Sequence, residues 1–246
     1  MNETKVRKNI SKILIEIIQE ELTGIKEIAI PFSGSLDSSL IAYIVKKYTK
    51  TDFKLYTIGF PGCYDFSQVD ITCNLLNMKT KKIILTQKVL DENLKEYLDF
   101  SNDKDKVSVS FTLPFYILLQ SIGEKNIISA LGADTLFGGF HKYLTSNDLK
   151  RDIKSCYEEF KSKLDIREYP ISKKFDKNLI VPLAEDKLSQ EVMKLPENLF
   201  IKNGVRKYFW REIAKYLGIP KEISMLPKKS FQYSTGVRKR LKLIQN

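Results

Sequence analysis

The 246-residue sequence predicts an α/β fold: a doubly wound, mostly parallel sheet with a helical C-terminal half. Two observations predict it. Up to about residue 145, short β-rich runs alternate with stretches whose apolar residues recur at helical spacing, as in strands joined by crossover helices. Beyond that point the periodicity is helical, apart from one irregular stretch. Residues 1–246 read as a single domain, with no repeat and no low-complexity linker.

The elements follow in order. "VRKNISKILIEIIQEEL" reads as an amphipathic helix, "KEIAIPF" as the first strand and "SSLIAYIVKKY" as a helix. "DFKLYTIGF" is the second strand, ended by "PGCYD". "FSQVDITCNLLN" is helical and "KTKKIIL" the third strand. "LDENLKEYL" and "SFTLPFYILLQSI" are helices, and "KNIISAL" is a fourth strand ended by "GADTLFGGF". Then come the helices "NDLKRDIKSCYEEFKSKL", "EDKLSQEVMKL" and "VRKYFWREIAKYLG", with the irregular "DIREYPISKKFDKNLIVPLA" between the first two.

Composition narrows the classes. With 43% hydrophobic and 29% charged residues, a packed core is expected. No apolar run approaches a membrane span. The start, "MNETKVRKNI", carries an acidic residue and no apolar h-region, so a cytoplasmic location is the expectation. Cys63, Cys73 and Cys156 are odd in number and form no CxxC or Cys/His cluster, which argues against a disulfide framework or structural zinc. Net charge is +11, favouring polyanions such as nucleotides or RNA. The excess lies between Lys202 and Lys242, where only Glu212 and Glu222 oppose it. A solvated basic face and a phosphate-facing surface both fit it.

In a parallel sheet, ligands bind outside the carboxyl ends of the strands. The first strand ends in Ser33-Gly34-Ser35-Leu36-Asp37-Ser38-Ser39. A small-residue turn at a helix N-terminus exposes backbone N–H groups, and the helix dipole adds partial positive charge. The hydroxyls of Ser33, Ser35, Ser38 and Ser39 can donate to phosphate oxygens. A bare phosphate would repel Asp37. That carboxylate belongs there as a helix cap or as a ligand for a hard cation such as Mg²⁺. Cradle plus carboxylate suggests a metal-chelated di- or triphosphate; the alternative is an Asp/Ser cap with no ligand. No Gly-Lys-Ser/Thr follows, so this is not a Walker A loop.

The loop resembles the PP-loop, Ser-Gly-Gly-x-Asp-Ser, of the N-type ATP pyrophosphatases, where it holds the pyrophosphate leaving group during attack on the α-phosphate. Ser35 stands where the second glycine usually is; a left-handed backbone there would cost serine about 1 kcal/mol. "GADTLFGGFHKY" at 132–143 resembles the Gly-Glu-Gly-Ala-Asp-Glu-Leu-Phe-Gly-Gly-Tyr signature of asparagine synthetases and β-lactam synthetases. "TIGFPGCYD" at 57–65, "FTLPFYILLQSIGEKNIISAL" at 111–131 and 195–239, which contains "PKKSFQYSTG", fall in that family's order. The last segment is similar to asparagine synthetase domain-containing proteins.

The resemblance implies a Rossmann-like sheet of the adenine nucleotide alpha hydrolase type, with ATP and Mg²⁺ as cofactors. It implies that Asp37 and Asp134 hold Mg²⁺ on the phosphates and that Ser33, Gly34, Ser35, Ser38 and Ser39 form the pyrophosphate loop. It puts Ile58 and Gly59 by the adenine and Gly132 by the ribose. Lys228, in Lys-x-x-Phe, matches the lysine that stabilises charge on the reacting groups, with Lys229 the adjacent alternative. The implied reaction adenylates a carboxylate, aspartate in the family, with loss of pyrophosphate. A nitrogen nucleophile then displaces AMP.

There are departures. Leu131 and Thr135 replace both signature glutamates, the first of which is linked to ammonia attack. The usual Arg-x-Pro-Phe-Leu-Asp reads Ile180-Val181-Pro182-Leu183-Ala184-Glu185, without the arginine. Asn2 follows the initiator Met where the family's glutaminase domain has its nucleophilic cysteine, so no such domain is expected. A separate ammonia-supplying glutaminase is then the implied partner, beside a small carboxylate substrate. The alternatives are a tRNA-modifying PP-loop enzyme using the basic C-terminal face and a catalytically degenerate nucleotide-binding subunit. His141 reads as structural or solvent-facing, and Tyr208, Phe209 and Trp210 as core rather than a base-stacking platform.

Overall fold

The computed structural model describes residues 2–101, 105–227 and 229–241. Helix α1 (Glu3–Glu21) leads into β1 (Glu27–Pro31), α2 (Leu36–Tyr48), β2 (Asp52–Gly59), α3 (Tyr64–Leu76) and β3 (Thr80–Ile84). Then come α4 (Gln87–Ser101), α5 (Lys106–Ser121), β4 (Asn126–Ile128), α6 (Ala133–Leu136), α7 (Leu149–Lys163), α8 (Tyr169–Lys174) and β5 (Asn178–Ile180). The rest comprises α9 (Asp186–Met193), a two-residue-strand hairpin of β6 (Ile201–Lys202) and β7 (Val205–Arg206), α10 (Tyr208–Leu217) and three short helices: α11 (Lys221–Ser224), α12 (Phe231–Ser234) and α13 (Val237–Arg240).

The main sheet has the order β3-β2-β1-β4-β5, and every neighbouring pair is parallel. Both faces are covered, so successive strand residues feed two separate cores. Ile28 and Ile30 face one cluster and Ala29 the other; Ile128 and Ile127 divide in the same way. The chain winds outward from β1 to β3, then returns through α4 and α5 to lay β4 on the other side of β1. The strand order reverses between β1 and β4, so their carboxyl ends flank the crevice in which such sheets hold ligands.

The stretch read as irregular is more ordered than its pattern suggests. α7 runs through a π-helical turn, Leu164–Glu168, into α8, and "NLI" forms the fifth strand. Pro170 lies where the π-helical turn passes into α8, and a proline inside a helix removes one backbone hydrogen bond. Three residues are too few for a periodicity to show, and β5 is a strand because Asn126–Ile128 pairs with it.

Candidate functional site at the β1 and β4 strand ends

The turn after β1 is built around one glycine. Gly34 has φ +69, and a Cβ there would lie 3.0 Å from the Val69 backbone, so the turn needs a residue without a side chain. Thr72 of α3 donates to the Gly34 carbonyl at 2.9 Å and fixes the loop to the neighbouring helix. Ser35 has φ −76 and ψ 169, an extended conformation open to any residue. Serine in place of the second motif glycine therefore carries no left-handed strain. The hydroxyls of Ser33 and Ser35 lie 2.8 Å apart, and Ser38 Oγ accepts from the Ser33 amide at 3.3 Å. Ser39 is fully buried, and its hydroxyl has no hydrogen-bond partner. No side chain caps α2, so its first-turn amides face the turn without an intrahelical acceptor.

The turn after β4 is also glycine-dependent. Gly132 has φ +94, and a Cβ there would lie 2.7 Å from the Phe160 ring. Asp134 follows on α6. Leu131 is half-buried against the second core cluster, and Thr135 is buried.

The two aspartates meet on one residue that the sequence did not single out. Lys207 Nζ lies 2.6 Å from Asp37 Oδ2 and 2.7 Å from Asp134 Oδ1. Lys207 is only 4% exposed and has φ 56 at the start of α10. Burial pushes its ammonium down from its usual value, and the Asp37 carboxylate opposes that. Trp210, one turn along α10, donates Nε1 to Asp37 Oδ1 at 2.9 Å and stacks on Phe137 at 4.5 Å. Trp210 is core, as expected, and it also orients a site carboxylate. Nothing in its sequence context separates these two roles. Lys207 was one of many basic residues in its segment, and only the fold distinguishes it.

A cavity of about 200 Å³ lies beside Lys207, lined by Gly139, Val205, Arg206, Arg211 and Pro227 among others. Arg206 donates to the Gly139 carbonyl at 2.8 Å, and Arg211 donates to the carbonyls of Arg206, Ser224 and Leu226. These guanidinium groups hold neutral acceptors there, so the cavity wall is cationic. A larger cavity, about 480 Å³, lies along α1 away from the strand ends.

The remaining expected positions sit around this centre. Ile58 is buried in β2, next to β1. Gly59 gives its carbonyl to the Leu85 amide, and a Cβ there would lie 2.5 Å from Cys63 Sγ and 3.2 Å from the Thr235 carbonyl. The end of β2 is thus closed over by the C-terminal segment, where the Phe60 amide donates to Thr235 O at 3.0 Å. Ser234 donates to Asp65 Oδ2 at 3.0 Å. Burial pushes the Asp65 carboxyl up to about 7, with the Ser234 hydroxyl and Lys229 opposing. Lys228 lies outside the described residues. Lys229 sits over the Tyr64 ring, 3.4 Å from its centroid. His141 is exposed.

The donor set suits Mg²⁺ carried on phosphates. Asp37 and Asp134 offer hard carboxylate oxygens, and Mg²⁺ is commonly bound by one or two carboxylates plus substrate phosphates. No cluster of three or more His, Cys, Asp or Glu able to hold a metal occurs among the described residues.

The asparagine synthase family model matches residues 9–179 and 171–245. The chain belongs to the asparagine synthase family. A putative glutamine-hydrolysing asparagine synthetase of Methanocaldococcus jannaschii is 24% identical, the match covering 96% of this chain and 50% of that protein. The glutamine-hydrolysing asparagine synthetase of Gallus gallus is 23% identical, over 92% of this chain and 43% of that one. The chain thus spans about half the length of these relatives. Among solved structures, NMN synthetase from Francisella tularensis shares the fold with a TM-score of 0.50 at 14% identity, covering 92% of this chain and 77% of the other.

Proposed function

We propose that this chain binds magnesium–ATP across the carboxyl ends of β1 and β4 and uses it to adenylate a small carboxylic acid. The observation that carries the reading is the gathering of Asp37 and Asp134 on one ammonium, beside a helix N-terminus with no side-chain cap, in a chain of this family. Amides and hydroxyls of Ser33, Gly34, Ser35 and Ser38 cradle the departing pyrophosphate, while Ser39 is buried behind them. Asp37 and Asp134 are the residues that would hold Mg²⁺, which when bound offsets phosphate charge and polarises the reacting P–O bonds. Ile58 and Gly59 are the residues that would stand by the adenine, and Gly132 by the ribose. Lys228 takes the family lysine's role toward charge that develops during reaction.

In the first step a carboxylate oxygen attacks the α-phosphorus as the bond to pyrophosphate breaks. In the second, a nitrogen nucleophile attacks the acyl carbon, AMP leaves and the nitrogen loses a proton. The acceptor is small and acidic, with aspartate the family's example. The cationic cavity beside Lys207 supports that class, because Arg206 and Arg211 there face neutral partners. A separate glutaminase is the partner that would supply ammonia as the nitrogen nucleophile.

Calorimetry with a non-hydrolysable ATP analogue tests the site. One Mg²⁺-dependent binding event per chain is expected, abolished in Asp37→Ala. Absent binding, or binding indifferent to both Mg²⁺ and the substitution, contradicts the reading.

A further inference from the structure

Lys207 occupies the space that a cation shared by Asp37 and Asp134 would need. Its Nζ lies within 2.7 Å of an oxygen from each. The fit leaves no slack. A Cβ on Gly139 would fall 2.1 Å from Asp134 Oδ1 and 2.3 Å from Lys207 Cε. The Gly139 carbonyl is itself held by Arg206. The lysine is fixed from its backbone as well: its carbonyl accepts from the Arg211 amide at the start of α10, and the next amide, Tyr208 N, donates to Phe200 O. Its left-handed backbone conformation is unfavourable for a residue with a side chain. The surrounding packing therefore imposes this position on it.

We propose that Lys207 is the counter-cation of the Asp37–Asp134 pair and that it excludes a free divalent cation from the strand ends. The first reason is charge. An ammonium within 2.7 Å of both carboxylates already offsets part of their charge, which weakens their attraction for Mg²⁺, an ion that sheds its waters reluctantly. The second reason is the fate of the ammonium. A free metal ion would drive it off both carboxylates while it remained buried, and an unpaired buried charge is costly. A polyphosphate removes that obstacle, because its oxygens can accept the displaced ammonium while bringing their own metal. Lys207 thus makes the site selective for metal delivered on a nucleotide. This last step rests on the reading given under Proposed function; the exclusion of free metal does not. A purely structural role, stapling α10 to the β1 and β4 turns, predicts no change in metal affinity when the lysine is replaced.

The test follows Mn²⁺ by electron paramagnetic resonance, with no turnover involved. Without nucleotide, wild type is expected to retain little Mn²⁺, and a non-hydrolysable ATP analogue to bring one Mn²⁺ onto each chain. Lys207→Met, without nucleotide, should bind Mn²⁺ at least tenfold more tightly than wild type. Its melting temperature should also rise more on Mn²⁺ addition. Adding Asp37→Asn to that variant should remove the gain. Should Lys207→Met not fold, the wild-type comparison still decides: one Mn²⁺ bound equally tightly with and without nucleotide overturns the proposal. So does a folded Lys207→Met with wild-type Mn²⁺ affinity, or a gain that survives Asp37→Asn. Failure of the nucleotide reading is separately visible. The variant then gains Mn²⁺ while neither protein binds the analogue, which leaves the exclusion of free metal standing.

Discussion

Gly34 and Ser35 sit side by side in the β1 turn, and only one of them is conformationally constrained. Gly34 holds φ +69 against the Val69 backbone, whereas Ser35 is extended. Gly34→Ala should therefore destabilise the fold by at least about 1–2 kcal/mol in urea denaturation, the cost of a left-handed alanine. Ser35→Gly should not stabilise it, because glycine there relieves no strain and adds freedom to the unfolded chain. A stabilising Ser35→Gly would contradict this account of the turn. Leu131 gives a second residue-scale prediction. Leucine neither accepts a hydrogen bond from ammonia nor pairs with ammonium, and desolvating an unpaired cation beside it is unfavourable. Leu131→Glu should raise ammonia-dependent amide formation while pyrophosphate exchange stays unchanged, since adenylation does not need this side chain. Amide formation that fails to rise at unchanged exchange would contradict it. Gly34, Asp37, Gly132 and Asp134 were legible from local pattern, because a turn's glycines and carboxylates are close in sequence. Lys207 was not, because its partners lie 170 residues away for Asp37 and its significance is a property of the tertiary fold.

Strands β1 to β4 were readable because each is a short β-rich run ended by a turn, and the ends of β1 and β4 flank the crevice. β5 was not, since three residues of "NLI" become a strand only by pairing with β4. The π-helical turn before it also breaks the helical period that would mark α7 and α8 as continuous. The C-terminal segment shows what an element can do beyond its own length. α12 and α13 are four residues each and could not persist as isolated helices. They are held by Thr235 on the Phe60 amide, by Ser234 on Asp65 and by Arg238 on the Lys106 carbonyl. Asp65 makes this docking pH-dependent. Its carboxyl lies at about 7 in the folded chain, above its ordinary 3.8, so the folded state holds a proton that the unfolded state releases in between. Stability from the protonated form is complete below the lower value and is lost as pH rises toward the upper one. Asp65→Asn should flatten this dependence, removing a slope of up to about 1.4 kcal/mol per pH unit. Urea denaturation of both proteins between pH 5 and 7 measures it. A wild-type-minus-variant difference that does not change with pH would contradict the assignment.

At the scale of the molecule, the net charge of +11 invites a nucleic-acid reading, and the fold weakens it. Several cations of the basic C-terminal section are turned inward. Lys207 and Arg211 are buried, Arg206 and Arg238 donate to backbone carbonyls, and Arg240 lies over the Phe60 ring. The excess charge supports the strand ends as well as the surface. No helix among the described residues is long and apolar enough to cross a membrane. The parallel sheet brings the β1 and β4 turns together, the helical half supplies Lys207 and Trp210 to their aspartates, and the C-terminal segment closes the end of β2. This assembly suits a reaction at the α-phosphate, with pyrophosphate held in the β1 turn. The most direct measurement is nucleotide product analysis by ion-exchange chromatography, with pyrophosphate exchange into ATP followed across a panel of small carboxylic acids. AMP and pyrophosphate in equal amounts are expected, with exchange dependent on one acidic acceptor and lost in Asp134→Ala. Stoichiometric ADP and phosphate would contradict it.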